Sequence, residues 1–244
     1  MSFERGTGIG GEPAPAPRMS GVTATEAISP AMRLQILSTE HWSLLASRSL
    51  AWNESFSRAG MFLSTLTGAI VALALVAQAS QFGEGFTLFA LVILPIVLFI
   101  GVTTLIRLGA SNYHEAMCVV GMNRIRAAYL ELAPDLERYF VMSAHDDALG
   151  IGTTMGVQPG GRVSWIGQIL AGTPTVVMIL NSVLAGVIAA VASLRIGVAV
   201  STAALGVGAL GFVLAMVLQG VYARGSIAKA RAGYRPLFPT PTQR

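Results

Sequence analysis

The chain has 244 residues, of which 53% are apolar and only 11% charged, with a mean hydropathy of +0.65. A soluble domain carries about a quarter charged residues, so the composition excludes a soluble enzyme domain, a nucleic-acid-binding module or a disordered chain as the main body. A multi-pass membrane protein remains. The net charge of +4 conceals an asymmetry, because all 12 acids lie at or before Asp147 while 148–244 holds seven bases and no acid. The single Cys118 excludes an intramolecular disulfide.

Residues 1–29 are rich in Gly, Pro, Ala and Thr and lack the basic start and apolar core of a secretory signal, so they read as a disordered tail. Ser29-Pro30 has the form of a helix cap followed by proline at the first helical position. A cytosolic helix over 30–58 is predicted to lead directly into span one, with Leu34, Leu37, Leu45, Trp52 and Phe56 on its buried stripe. Between Arg58 and Glu84 lie 25 uncharged residues, and between Glu84 and Arg107 lie 22. About 20 helical residues cross a bilayer, so 59–106 forms a transmembrane hairpin.

The segment 107–162 is predicted as cytosolic helices followed by a Gly-rich loop. Gly109-Ala110-Ser111 is expected to loosen the chain, after which Cys118, Met122, Ile125, Tyr129 and Leu132 form a heptad-like seam ended by Pro134. Uncharged runs of 32 and 28 residues flank Arg195, so 163–223 is a second hairpin. Pro95 and Pro174 are expected to kink their helices. Small residues four apart favour close packing: Gly68 and Ala72, Ser182 with Gly186 and Ala190, Ala204 and Gly208, Gly211 and Ala215. The tail 224–244 presents Arg224, Lys229, Arg231 and Arg235 to anionic lipid headgroups.

Fifteen of the sixteen cations fall in the N-terminal segment, in 107–162 or in the C-terminal tail, and only Arg195 falls on the other side. The positive-inside rule makes the basic side cytosolic and places both termini there. Arginine outnumbers lysine fifteen to one, which reflects a GC-rich genome more than chemistry.

Motifs for chemistry are sparse. His114, Glu115, His145, Asp146 and Asp147, with Glu40-His41, supply metal-ligand types, but no HExxH or paired-cysteine spacing organises them. Gly150-Ile151-Gly152 and Gly156 lack the lysine or acid that a phosphate loop needs, and no cofactor is expected. Inside the spans the polar candidates for pore lining or helix packing are Gln168, Thr173, Pro174 and Asn181, together with Pro95. Interhelical hydrogen bonding is the favoured use of these side chains. On the basic side, 131–147 carries five acids and one base. The tail is therefore expected to dock on 131–147, with Arg224, Arg231 and Arg235 on one helix face toward it.

The stretch 38–147 resembles a family of uncharacterised bacterial multi-pass membrane proteins. The resemblance is carried by STEHWSLLASRSLAWNESFSRAGMFL, FALVILPIVLF, NRIRAAYLELAPDLERYF and SAHDD, and it implies a bacterial plasma membrane and no activity. The order helix, two-span hairpin, helix is also similar in architecture to SLATT-type membrane effectors. The fold expected is an all-α, four-span transmembrane bundle with a small cytosolic helical module. The function expected is non-enzymatic: an oligomeric membrane scaffold or regulated pore, partnered by lipid, by copies of itself and by a cytosolic protein, and not by nucleic acid. The alternatives are a small-solute transporter working through the Pro95 and Pro174 helices, and a metal-dependent hydrolase at the membrane face.

Overall fold

The computed structural model describes residues 28–156, 172–196 and 201–241. The N-terminal tail before residue 28, the start of the third span and the candidate Gln168 lie outside them. The chain is all-α. Helix α1 spans Pro30–Ser80 and α2 spans Glu84–Leu132. A 3₁₀ turn, Pro134–Tyr139, is followed by α3 at Ala148–Thr154, α4 at Thr173–Arg195 and α5 at Ser201–Ala232. Helices α1, α2, α4 and α5 are long and apolar enough to cross a membrane. Within the segment expected to be a Gly-rich loop, α3 is a correction. Asp147 caps it by accepting from the Gly150 amide at 2.8 Å, and a side chain at Gly150 would strike the His145 carbonyl.

Helices α1 and α2 hold 51 and 49 residues. At about 1.5 Å per residue each is roughly 75 Å long, more than twice a bilayer core. Ser29 starts α1 by accepting the Met32 amide at 3.2 Å, with Pro30 in the first turn. The reversal into α2 is tight. Gln81 and Phe82 both adopt left-handed backbone, φ 50° and 59°, a conformation costing about 1–2 kcal/mol for a residue with a Cβ. The Phe82 and Gly83 amides bond back to Ala77 and Ser80, and the Phe82 ring meets Phe86 edge-on at 5.2 Å.

Helix α2 runs unbroken through both places where weakening was expected. Pro95 removes one backbone donor yet sits inside the continuous helix. Gly109-Ala110-Ser111 is bridged because α1 lies alongside. The Ser111 hydroxyl is bonded to the Ser55 hydroxyl at 2.8 Å and donates to the Ala51 carbonyl at 3.0 Å. Pro174 lies in the first turn of α4, where an amide would lack an intrahelical partner.

The face that α1 turns toward α2 differs from the predicted stripe. Leu34, Leu45, Trp52 and Phe56 are exposed. The contact face lies one residue earlier: Leu44 against Gly121, then Ala51 and Ser55 against Ser111, and Phe62 against Gly101. One residue is about 100° of helix rotation. Hydrophobic size misleads around Trp52 and Phe56 because the seam beside them is made by Ala51, Ser55 and Ser111. On α2 the predicted seam is buried at Cys118, Met122 and Ile125 and opens at Leu132.

The helices pack as a row, α1 on α2, α2 on α4 and α4 on α5. Phe62, Leu66, Leu94, Val97, Val177 and Leu184 form the core of the first three. Between α4 and α5 the backbones approach closely. A Cβ at Gly208 would lie 3.0 Å from the Gly186 carbonyl oxygen, and one at Gly211 would lie 2.9 Å from the Ala189 Cβ. Three of the predicted small-residue rows thus lie on α4 and α5. The fourth does not pack this way, because Gly68 faces open space.

Candidate functional site

Two polar centres stand out, one in the apolar layer and one at the far end of the α1–α2 stalk. The first joins α2, α4 and α5. Asn181 and Ser182 are fully buried on α4. The Asn181 amide donates to the Gln219 Oε1 at 3.1 Å, and the Gln219 amide donates to the Ser182 hydroxyl at 3.2 Å and to the Ala215 carbonyl at 3.1 Å. Asn181 Oδ1 has no partner and lies directly over Gly101 of α2, where only a glycine leaves room for it. Among the pore or packing candidates, Asn181 is therefore interhelical glue. Thr173 and Pro95 are exposed and Pro174 starts its helix, so these three do not converge with it.

The second centre is built on neighbouring turns of α2. Asn123 is fully buried. Its amide donates to the His145 carbonyl at 2.8 Å, and its Oδ1 accepts from Arg126 at 2.6 Å and Thr154 at 3.0 Å. Asp146, also fully buried, accepts from Arg124 Nε at 2.8 Å and the Leu237 amide at 3.0 Å on Oδ2, and from the Phe238 amide at 2.8 Å on Oδ1. Its amide donates to the Phe238 carbonyl at 3.1 Å and its carbonyl accepts from the Tyr234 hydroxyl at 2.6 Å. Asp147 accepts from the Thr240 amide at 2.9 Å and the Thr240 hydroxyl at 3.0 Å. Burial pushes the Asp146 carboxyl up, but the Leu237 amide, Arg124, the Phe238 amide and Tyr234 outweigh it and hold it at about 2. Asp147 is likewise held down against burial by the Gly150 amide and Thr240.

The C-terminal tail thus docks on the acidic segment, but by a different chemistry than charge counting predicts. Its backbone amides, not Arg224, Arg231 and Arg235, meet the acids, and these are Asp146 and Asp147 at the end of the segment. Backbone donors win because a buried carboxylate needs several short fixed hydrogen bonds, whereas long exposed arginines gain little from pairing. Arg224, Lys229, Arg231 and Arg235 remain exposed.

The metal-ligand candidates do not converge. Among the described residues no group of three or more His, Cys, Asp or Glu is placed to hold a metal. Glu115 pairs with Arg48 at 3.0 Å, His114 lies 3.7 Å from the Cys118 sulfur, and Asp146 and Asp147 are committed to the tail. Burial raises the Cys118 thiol, away from a reactive thiolate. Near the apolar layer, Glu54 accepts from Arg107 at 2.8 Å and from Arg58 at 2.9 Å. At the opposite end of the row Arg195 pairs with Glu84 at 2.6 Å. Nothing in the sequence pointed to Asn123.

No protein family, no curated protein and no solved structure matches the chain. Among the described residues four helices are long and apolar enough to span a bilayer, which marks a membrane protein, and two of them continue far beyond the apolar layer.

Proposed function

We propose that the protein is a non-enzymatic membrane scaffold of a bacterial plasma membrane, with both termini and the stalk in the cytosol. The observation that carries this reading is the stalk itself. Beyond Arg58 and Arg107, α1 and α2 continue for about 40 Å as one unbroken pair, and the far end is fastened by the Asp146 and Asp147 contacts. Along its outer face Trp42, Leu45, Trp52 and Phe56 are uncovered, a larger apolar surface than a solvated helix ordinarily shows. Trp52 and Phe56, ring centroids 5.5 Å apart, lie close enough to Arg58 to rest among headgroups, while Trp42 lies too far along and suits a protein partner. The cation distribution supports the orientation. A pore through a single chain has no lining in these contacts, since the helices form a row and Asn181, Ser182 and Gln219 bond to one another.

Photo-crosslinking from positions 42 and 52 in intact cells tests the reading. A scaffold gives a discrete protein adduct at Trp42 and lipid adducts at Trp52. Cysteines replacing Gly85 and Arg195 label from outside, and those replacing Phe140 and Ala230 do not. Labelling at Phe140 from outside overturns the orientation, and ion flux from proteoliposomes of the pure protein overturns the scaffold in favour of the pore.

A further inference from the structure

We propose that the cleft between α2 and the basic end of α5 is a binding site for a phosphate-bearing anion. The cleft has a volume of about 650 Å³ and is lined by Arg124 and Tyr113 from α2, by Lys229 from α5, and by Tyr234 and Arg235 just beyond it. No acid lines it. Arg124 gives its Nε to Asp146, and its guanidinium lies 5.9 Å from the centre of the Tyr234 ring, which fixes the group in place. The Lys229 and Arg235 side chains form no ion pair or hydrogen bond among the described residues. Two uncompensated cations therefore line one concavity beside a third whose charge Asp146 balances.

That arrangement specifies the ligand. A cleft lined by one sign of charge concentrates counter-ions. A phosphate ester carries about −1.5 to −2 at neutral pH, matching the two free cations, and guanidinium groups bind phosphate with directed hydrogen bonds. The volume lies within the range of small-molecule sites, about 300–1,000 Å³, and the two tyrosines offer flat apolar surface for the rest of the molecule. The phosphate has two possible sources, an anionic lipid headgroup or a soluble compound. Depth favours the soluble one. Arg124 lies 17 residues beyond Arg107, about 26 Å further along the helix, whereas the headgroup layer is only about 5–8 Å thick. The site also bridges the stalk and the tail. Arg235 is held at the cleft because Tyr234, Leu237 and Phe238 bind Asp146, so an occupied cleft holds the tail more firmly.

The test uses the full chain, in non-ionic detergent and in nanodiscs, with inorganic phosphate and pyrophosphate as soluble probes. Expected are saturable binding that weakens with salt, a higher melting temperature, and slower proteolysis after Arg231. Lys229→Gln with Arg235→Gln should weaken pyrophosphate binding at least tenfold and leave the unliganded melting temperature unchanged, because both side chains are exposed. Should that temperature fall, Lys229→Gln alone carries the comparison. Protection in phosphatidylglycerol nanodiscs but not phosphatidylcholine ones, with neither soluble probe binding, keeps the site and assigns it to a lipid headgroup. Equal binding by parent and variant, or no response to any of these probes, overturns the proposal.

Discussion

The α1–α2 and α4–α5 pairs are both antiparallel helix hairpins, yet different forces hold them. In α1–α2 the contact is made by large side chains, Phe62, Leu66, Leu94 and Val97, and continues past the apolar layer through Glu54–Arg107, Ser55–Ser111 and Arg48–Glu115. In α4–α5 it is made by Gly186, Gly208 and Gly211 at near-backbone contact, with one amide network from Asn181 to Gln219. The difference follows the solvent. Lipid offers no hydrophobic drive for helices to associate, so a pair that meets inside the apolar layer relies on close approach and hydrogen bonds. Helices that leave the lipid can add charge pairs and buried polar centres.

If the two hairpins are held independently, each can be broken without the other. The largest effect is expected for Asp146→Ala. It removes the carboxylate shared by Arg124 and two amides, and losing one partner of a buried pair costs about 3–5 kcal/mol. Limited proteolysis should then cut within 234–241, while the melting of the apolar helices stays put. Gly186→Leu should do the reverse. Its side chain would meet the Gly208 carbonyl oxygen and the Phe212 Cβ, an overpacking penalty of about 1–3 kcal/mol or more. The melting temperature in detergent should fall and tail protection should remain, with Gly68→Leu, which faces open space, as the silent control.

Acid should act on the stalk end alone. The folded Asp146 is held at about 2 against an ordinary 3.8. A lowered carboxyl contributes stability that is complete above the unfolded value and is lost as pH falls through the folded one. Tail protection should therefore fade between about pH 4 and pH 2, and in Asp146→Asn it should already be weak at neutral pH and flat across that window. The smallest effect is expected for Asn181→Ala. Interhelical hydrogen bonds in lipid are worth about 0.6 kcal/mol on average, and this one leaves Oδ1 unpaired in the parent. A loss above about 2 kcal/mol would mean that the network, rather than the glycine contact, holds α4 to α5.

The sequence displayed what depends on charge and run length. The four apolar helices, the Ser29-Pro30 start, the turn near Gln81 and the small-residue rows of α4 and α5 all follow from local composition. What depends on a neighbour did not show. The α1 seam is one residue away from the large apolar side chains, because Ala51 and Ser55 are chosen by what lies across from them. Gly109-Ala110-Ser111 reads as a weak point until α1 supplies the Ala51 carbonyl. The tail contact was visible as opposite charge, yet its donors are main-chain amides, which no residue type announces. Asn123 lies within an otherwise ordinary seam, and its role depends on loop atoms about twenty residues away.

Because α1 and α2 pass from the apolar layer into the stalk without a hinge, they act mechanically as a lever. Any change of tilt imposed on the hairpin inside the bilayer, by thickness or by a neighbouring helix, reappears at the far end multiplied by length. Over about 40 Å, a 10° tilt moves the tip near Leu132 by about 7 Å, more than one helical turn. The loop and tail fastened at Asp146 travel with it as a single body.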